Sequence, residues 1–404
     1  MTLPFKTLSD VELRGKIALV RVDFNSPIVD GKIADDSRIQ MHSKTLQFMA
    51  EKGARVVVIA HQGRPGSSDF TSLDMHAEKL KQYVNFPVRF VDDITGDKAL
   101  NSIKNLNDGE ILLLDNIRKH PDELKKATPE ELSKTELVKT LSSIADIYVN
   151  DAFAAAHRAQ TSLVAFPLIM DSYAGIVMER EVKMLSKVKE GEKPLSLVLG
   201  GTKIDDSLDV AAHFIKADKA DYILPGGLLV TIALAAEGID IGVNMKILEK
   251  FKVVDLIDKM KELKEQTTAW IDIIDVALDV GSLRKEVKKD DPEIAKYPIK
   301  DIGTETAEVF LETIAKSKTV FLNGPMGVYE ETEFRKGTEV VFNGIAHSQA
   351  FSIAGGGHTL AALSILDLMN EMDFVSSGGG SLIEFLKGKT LPAIKALQDA
   401  PNNK

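Results

Sequence analysis

In the first half of this 404-residue chain, arginines and histidines stand directly behind short apolar runs, a placement suited to holding an anion. The runs 17–22, 56–60, 111–114 and 147–149 are followed by polar clusters. These are Asp23-Phe24-Asn25, then His61-Gln62-Gly63-Arg64, then Asp115-Asn116-Ile117-Arg118, then Asn150-Asp151 with His157-Arg158 beyond. Arg38 adds a further guanidinium in the first turn of a helix expected after Asp35-Asp36-Ser37. Arginine suits phosphate and carboxylate because its planar fork pairs with them through two parallel hydrogen bonds. Any one of these arginines could equally be a solvated charge or half of a structural ion pair. Arg38, Arg64, Arg118 and Arg158 at equivalent strand ends of one parallel sheet would share a rim. Asp23 is as well suited to forming a turn as to meeting a ligand. A lone strand-end histidine such as His61 or His157 is ordinarily structural, and Arg21, inside a strand, is expected to pair with a neighbouring carboxylate.

The second half ends its apolar runs (195–199, 222–224, 270–274, 320–322, 351–354 and 374–375) in glycine instead. Five such turns occur: Gly200-Gly201-Thr202-Lys203, Pro225-Gly226-Gly227, Asn323-Gly324-Pro325, Gly355-Gly356-Gly357-His358-Thr359 and Gly378-Gly379-Gly380. Glycine lets backbone N–H groups approach a ligand, and a helix starting there adds the positive end of its dipole, which together make a phosphate cradle. Each pair taken singly could be a plain tight turn. The usual phosphate-loop and dinucleotide fingerprints are absent, as are H-E-x-x-H, EF-hand and G-x-S-x-G patterns.

Apolar runs that alternate with helical patterns from end to end indicate βαβ units and parallel sheets buried on both faces. A chain this long exceeds one core. The expected fold is α/β, with two parallel-sheet domains joined by a long helix and a cleft between them. The boundaries expected are 1–171 for the first domain, 172–189 for the helix and 190–387 for the second domain. Sixty acidic against 50 basic residues leave a net charge of −10, which argues against a nucleic-acid or anionic-membrane partner. Zero cysteines exclude disulfide scaffolds, thiolate metal sites and cysteine nucleophiles. The N-terminus lacks the pattern of a signal or transit peptide, so a cytoplasmic location is expected. The longest uncharged stretch, 340–366, is interrupted by Asn343, His347, Gln349, three glycines and His358, which argues against a membrane span. An anion pocket on one domain and a glycine cradle on the other suggest a kinase that closes on two phosphorylated ligands.

The segments RVDFNSPIVDGKIADDSRI, AHQGRP, LLLDNIRKH, YVNDAFAAAHRAQTS, GGTKIDD, NGPMGVYE, GGGHT and SSGGGSLIEFLKGKTLP resemble the phosphoglycerate kinase family over nearly the whole chain. That resemblance implies reversible transfer between 1,3-bisphosphoglycerate and ADP, giving 3-phosphoglycerate and ATP with Mg²⁺, in glycolysis and gluconeogenesis. It also implies that the two α/β domains are Rossmann-like and that the tail 388–404 returns to the first domain. Position by position, Asp23, Phe24, Asn25, His61, Gln62, Gly63, Arg64, Arg118 and Arg158 look like the 3-phosphoglycerate site. Arg38 looks like the residue that meets the reacting carboxyl. Gly201, Lys203, Asn323, Glu330, Gly355, Gly356, Gly357, His358 and Thr359 look like the nucleotide side. Arg38, Lys203, Gly356 and Gly379 would stabilise the phosphoryl group in transfer. A monomer or homodimer is expected.

Two positions depart from most bacterial and eukaryotic members. His358 stands where they carry aspartate, usually taken as the magnesium ligand, and Ser207 where they carry a second lysine. Imidazole suits a hard cation poorly, so the metal is assigned no protein ligand, although Asp205 and Asp206 lie near. Both features, and LLLDN, are similar to the archaeal branch. Two rival readings stand beside the kinase: a nucleotide-dependent dehydrogenase, opposed by the missing G-x-G-x-x-G, and a non-catalytic sensor, supported by His358 and Ser207 alone.

Overall fold

Runs of β-branched residues such as Arg55–Ile59 (RVVVI) favour extended backbone, and being apolar on both faces they must be covered on both. In the computed structural model, which describes residues 3–403, these runs build two parallel sheets, one in each of two units. One unit comprises the chain up to Lys183 with the tail from Thr390; the other is Met184–Lys389. The division falls inside the helix Ile176–Lys189.

The first unit holds a six-stranded sheet in the order Val88–Val91, Ile111–Leu114, Arg55–Ile59, Ile17–Arg21, Ile147–Asn150, Ser172–Ala174. Every pairing in it is parallel. The strand Ile17–Arg21 lies between two later strands, with Arg21 in register with Ile59 on one side and Asn150 on the other. The strand order reverses there, and ligands of such sheets gather beyond the carboxyl ends at the reversal. Val20, Val22, Val56, Val58, Leu113 and Val149 form the buried core against helices such as Ser37–Glu51. The tail packs on this unit: Ala393 N–H donates to the Ala156 carbonyl (3.1 Å), and Asn402 bonds both the N–H and the carbonyl of Ser172.

The second unit holds a five-stranded parallel sheet ordered Tyr222–Pro225, Leu195–Leu199, Thr319–Asn323, Phe351–Gly355, Phe374–Val375. Beside it in the chain is a three-stranded antiparallel sheet, Leu283–Lys288, Asp275–Val280 and Ile299–Ile302.

Three expectations need correction. The run 270–274 is no strand: Trp270 makes a single bridge to Ile223, and the N–H groups of Ile274 and Asp275 both go to the Thr306 hydroxyl (3.0 Å each) instead of a ladder. The connecting helix begins at Ile176, because Ser172–Ala174 extend along Ile147–Asn150 as an edge strand. The strands Val88–Val91 and Leu283–Lys288 were not expected, since their charged, partly exposed residues break the apolar run. No helix among the described residues is long and apolar enough to cross a membrane.

Candidate functional site

Beyond the carboxyl end of the first unit's sheet, Asp23 follows the strand Ile17–Arg21 and accepts a hydrogen bond from the Arg38 guanidinium. Burial alone would raise the Asp23 carboxyl, but Arg38 foremost among the surrounding cations holds it at about 2. Asp23 also accepts from Asn25 N–H at 3.1 Å, so it serves both as turn former and as anchor for Arg38.

Arg21 does not pair directly with a carboxylate as expected. Fully buried, its Nε donates to Ser162 Oγ (2.8 Å), and that hydroxyl donates to Glu123 Oε1 (2.8 Å). Its second arm donates to His61 Nδ1 at 3.1 Å. Arginine only donates, so His61 Nδ1 is the acceptor and the ring carries its proton on Nε2. Burial, with Arg21, Arg118 and Arg158 nearby, pushes His61 well below the ordinary imidazole range against the opposing charge of Asp23. His61 is therefore a neutral N–H donor. The sequence signal for this support was a lone arginine in an apolar strand.

Arg118 sits in a 3₁₀ turn, Ile117–Lys119, started by the Asn116 side chain, and donates to the Gly63 carbonyl. Its Nε is buried and has no hydrogen-bond acceptor among the described residues. Burial and then the repulsion of Arg158 and Arg21 lower its proton affinity to about 10. Arg158 is lowered too, by burial and by Arg64, Arg21 and Arg38, with Asp23 opposing. Five guanidinium groups thus feel one another's charge. Arginines repel at such range, and an orphaned donor beside them calls for an anion.

Phe24 and Gln62, expected at the ligand, face the core instead. The Phe24 ring stacks on His76 (6.5 Å between centroids), and the Gln62 amide is consumed by Ser26, Asp69 and His76. Gly63 donates its N–H to Asn25 Oδ1 (2.8 Å), and a Cβ there would fall 2.7 Å from the Asp69 backbone. Arg64 is exposed.

In the second unit the glycine turns divide into two kinds. Gly200, Gly201, Gly226 and Gly227 give their N–H groups to the carbonyls of Asn323, Pro325, Leu199 and Met326, so these amides hold the turns to one another. Gly324, at φ 95°, passes so close that a Cβ would lie 2.3 Å from the Gly200 carbonyl carbon. The Thr359 hydroxyl is also engaged, accepting from Gly324 N–H at 2.7 Å. Donors that face a polar cavity without having an intrahelical acceptor include the first-turn N–H groups of the helix Gly357–Ile365 and that of Gly380, at the start of the helix Gly380–Leu386. Gly356 (φ 94°) and Gly379 (φ 47°) turn the chain into those helices.

These turns, with exposed Lys203 at the start of the helix Ile204–Lys216 and with Asn323, line a polar cavity of about 510 Å³. An adjoining cavity of about 470 Å³, lined by Leu228, Ile247, Phe251, Pro298, Ile299 and Val328, has Glu330 at its wall. Both sizes suit parts of a small-molecule ligand. Gly201, Thr202, Tyr329 and His358 border both, and Tyr329 OH lies 3.3 Å from His358 Nδ1. The apolar wall was not anticipated from the sequence; its one signal is Phe251, 44% exposed on a surface helix.

Ser207 is buried within the helix Ile204–Lys216. Nearby, Lys387 reaches Asp206 (2.8 Å) and Asp209 (3.0 Å); burial opposes its charge, but these carboxylates raise it overall. Asp206 is thereby occupied, and no group of three or more metal-capable side chains occurs among the described residues. Mg²⁺ ordinarily keeps water and substrate phosphates and needs at most one or two carboxylates, and Asp206 is a carboxylate that lines the cavity described above.

Comparison with known proteins gives one consistent result. The profile of the family described as phosphoglycerate kinase matches residues 8–389. A phosphoglycerate kinase of Methanothermus fervidus is 46% identical over 401 residues, 98% of this chain and 97% of the relative. The crystal structure of phosphoglycerate kinase from Pyrococcus horikoshii superposes with a TM-score of 0.88 at 37% identity, covering 99% of this chain and 100% of that one. That from Coxiella burnetii gives 0.82 at 32% identity, covering 98% of each.

Proposed function

The chain belongs to the phosphoglycerate kinase family, and we propose that its N-terminal unit holds 3-phosphoglycerate or 1,3-bisphosphoglycerate while its C-terminal unit holds ADP or ATP. The activity is the reversible phosphoryl transfer of glycolysis, with a carboxyl group as acceptor and a nucleotide as the other substrate. The observation that carries the division of labour is the cluster of mutually repelling arginines with the orphaned Nε of Arg118. A phosphate there would answer both.

The transfer needs positioning and charge neutralisation more than covalent chemistry. Arg118, Arg158 and Arg64 would hold the substrate's phosphate, and neutral His61 would donate through Nε2–H. Arg38, steadied by Asp23, would meet the reacting carboxyl. Lys203 and the first-turn amides after Gly356 and Gly379 would receive charge building on the moving phosphoryl. Glu330, at the wall of the apolar cavity, suits the hydroxyls of a ribose whose base lies inside. A magnesium ion would supply further neutralisation of the nucleotide's phosphates; no protein ligand is assigned to it. Action in the cytoplasm as a monomer or homodimer, without nucleic-acid or membrane partners, belongs to the same proposal.

Isothermal titration with 3-phosphoglycerate and ADP separately tests the division. Arg158→Met should weaken 3-phosphoglycerate by about 10²-fold, the scale of a lost charge-assisted pair, and leave ADP unchanged; Lys203→Met should do the reverse. Loss of both ligands in either folded variant, or of neither, would refute the assignment.

A further inference from the structure

Behind the arginine cluster, a single carboxylate ties together two helices that the reaction scheme above leaves unconnected. Asp151 follows the strand Ile147–Asn150 and is fully buried. Its Oδ1 accepts from the N–H groups of Val177 (2.8 Å) and Met178 (3.3 Å), in the first turn of the helix Ile176–Lys189. Its Oδ2 accepts from His42 Nδ1 at 2.7 Å. The fit leaves no slack: a Cβ on Gly175 would stand 2.2 Å from Asp151 Oδ1.

His42 lies on the helix Ser37–Glu51, four residues after Arg38 and so on the same face one turn along. It is buried, with its ring edge against Phe24 at 6.3 Å between centroids, and Phe24 directly follows the Asp23 that anchors Arg38. The helix Ile176–Lys189, for its part, carries the chain out of the first unit, whose last residue before the tail is Lys183.

We propose that His42 is a positioning residue that links the seating of Arg38 on its substrate to the start of the connecting helix, through the shared carboxylate of Asp151. The inference rests on the reading of Arg38 given above. A hydrogen bond weakens steeply once it is stretched beyond about 3.2 Å, so a shift of the Arg38 helix by more than about half an ångström is handed on to the cap. Packed elements of this kind respond as units and do not deform continuously.

Hydrogen–deuterium exchange on the full chain, with and without 3-phosphoglycerate, reads the link directly and is paired with steady-state kinetics of His42→Ala, His42→Asn and Arg38→Ala. In the unmodified protein, 3-phosphoglycerate should slow exchange at Val177 and Met178. His42→Ala should abolish that response and lower kcat by about 3- to 30-fold, with KM for 3-phosphoglycerate within about threefold. The amide of His42→Asn can take the place of Nδ1–H and should restore both. Absence of any ligand response at Val177 and Met178 in the unmodified protein overturns the proposal whether or not the alanine variant folds. So does a response that persists in His42→Ala, or a folded asparagine variant that restores nothing. Full turnover by folded Arg38→Ala would instead defeat the reading of Arg38, a result distinct from a failed His42 link.

Discussion

Replacing Arg118 by methionine should stabilise the free protein while disabling its anion site. Arg118 is 6% exposed, and burial, with Arg158 and Arg21 crowding its guanidinium, lowers its proton affinity from the ordinary guanidinium range to about 10. At 1.36 kcal/mol for each tenfold change, keeping the charge there costs the fold about 3 kcal/mol. That cost is present at any pH below about 10 and is relieved only as pH rises from there toward the ordinary guanidinium range. Methionine keeps the apolar stem but forfeits the bond to the Gly63 carbonyl, about 1.5–2 kcal/mol for a charged donor. The net gain is about 1 kcal/mol, or roughly 2–4 °C in the melting of a unit of this size. With ligand the sign reverses. At a 3-phosphoglycerate concentration 100 times the dissociation constant, the unmodified protein gains about 2.7 kcal/mol. A variant that binds about 100-fold more weakly gains about 0.4 kcal/mol at the same concentration. Calorimetric melts of both proteins with and without 3-phosphoglycerate give all four numbers. A variant that melts lower when free, or that keeps the ligand-dependent shift, would show that Arg118 is a structural residue.

Three further outcomes are expected. Gly324→Ala should cost about 2–4 kcal/mol and abolish ADP binding, because its Cβ would collide with Gly200 at a positive φ; melts and ADP titration would show it. His76, pushed by burial to about 4 against the opposing charge of Asp74 and a hydrogen bond with the Phe24 backbone, stays neutral in the fold while the unfolded chain protonates near 6.5. Lowering pH from 6.5 to 4.5 should therefore remove about 2–3 kcal/mol of stability, and urea titrations of His76→Gln should show a flatter pH profile. Lys387→Met should destabilise by about 1–2 kcal/mol, because Asp206 and Asp209 lose a nearly buried cation but remain partly hydrated themselves; denaturant melts would read it.

The parallel sheets were legible because buried strands are written as unbroken apolar runs, and the polar or glycine-rich turns behind them follow immediately in the chain. His61 and Arg118 stand in such turns and Arg38 in the first turn of the helix Ser37–Glu51, but their individual roles were read from the family resemblance. The purpose of individual residues in those turns could not be picked out from the runs. Phe24 and Gln62 sit between neighbours assigned to the proposed substrate site yet point into the core, since alternation along an extended segment sends successive side chains to opposite sides. Four of the glycines serve loop-to-loop packing, which depends on which strands become neighbours and so on contacts far apart in sequence. Glu123 and Ser162 were invisible, and the partners of Asp151 unreadable, for the same reason: the groups they bond lie 39, 39 and 109 residues away. The antiparallel sheet of the second unit escaped because Leu283–Lys288 is charged and exposed on most of its length.

The most direct test is ATP consumption in the presence of 3-phosphoglycerate, coupled to reduction of the product, for the unmodified protein and for Arg38→Ala. The account predicts turnover that requires both substrates, and a folded variant whose kcat is lower by about 10³, the scale of a lost transition-state arginine. Near-normal turnover by folded Arg38→Ala, or none from unmodified protein that binds both ligands, would contradict it.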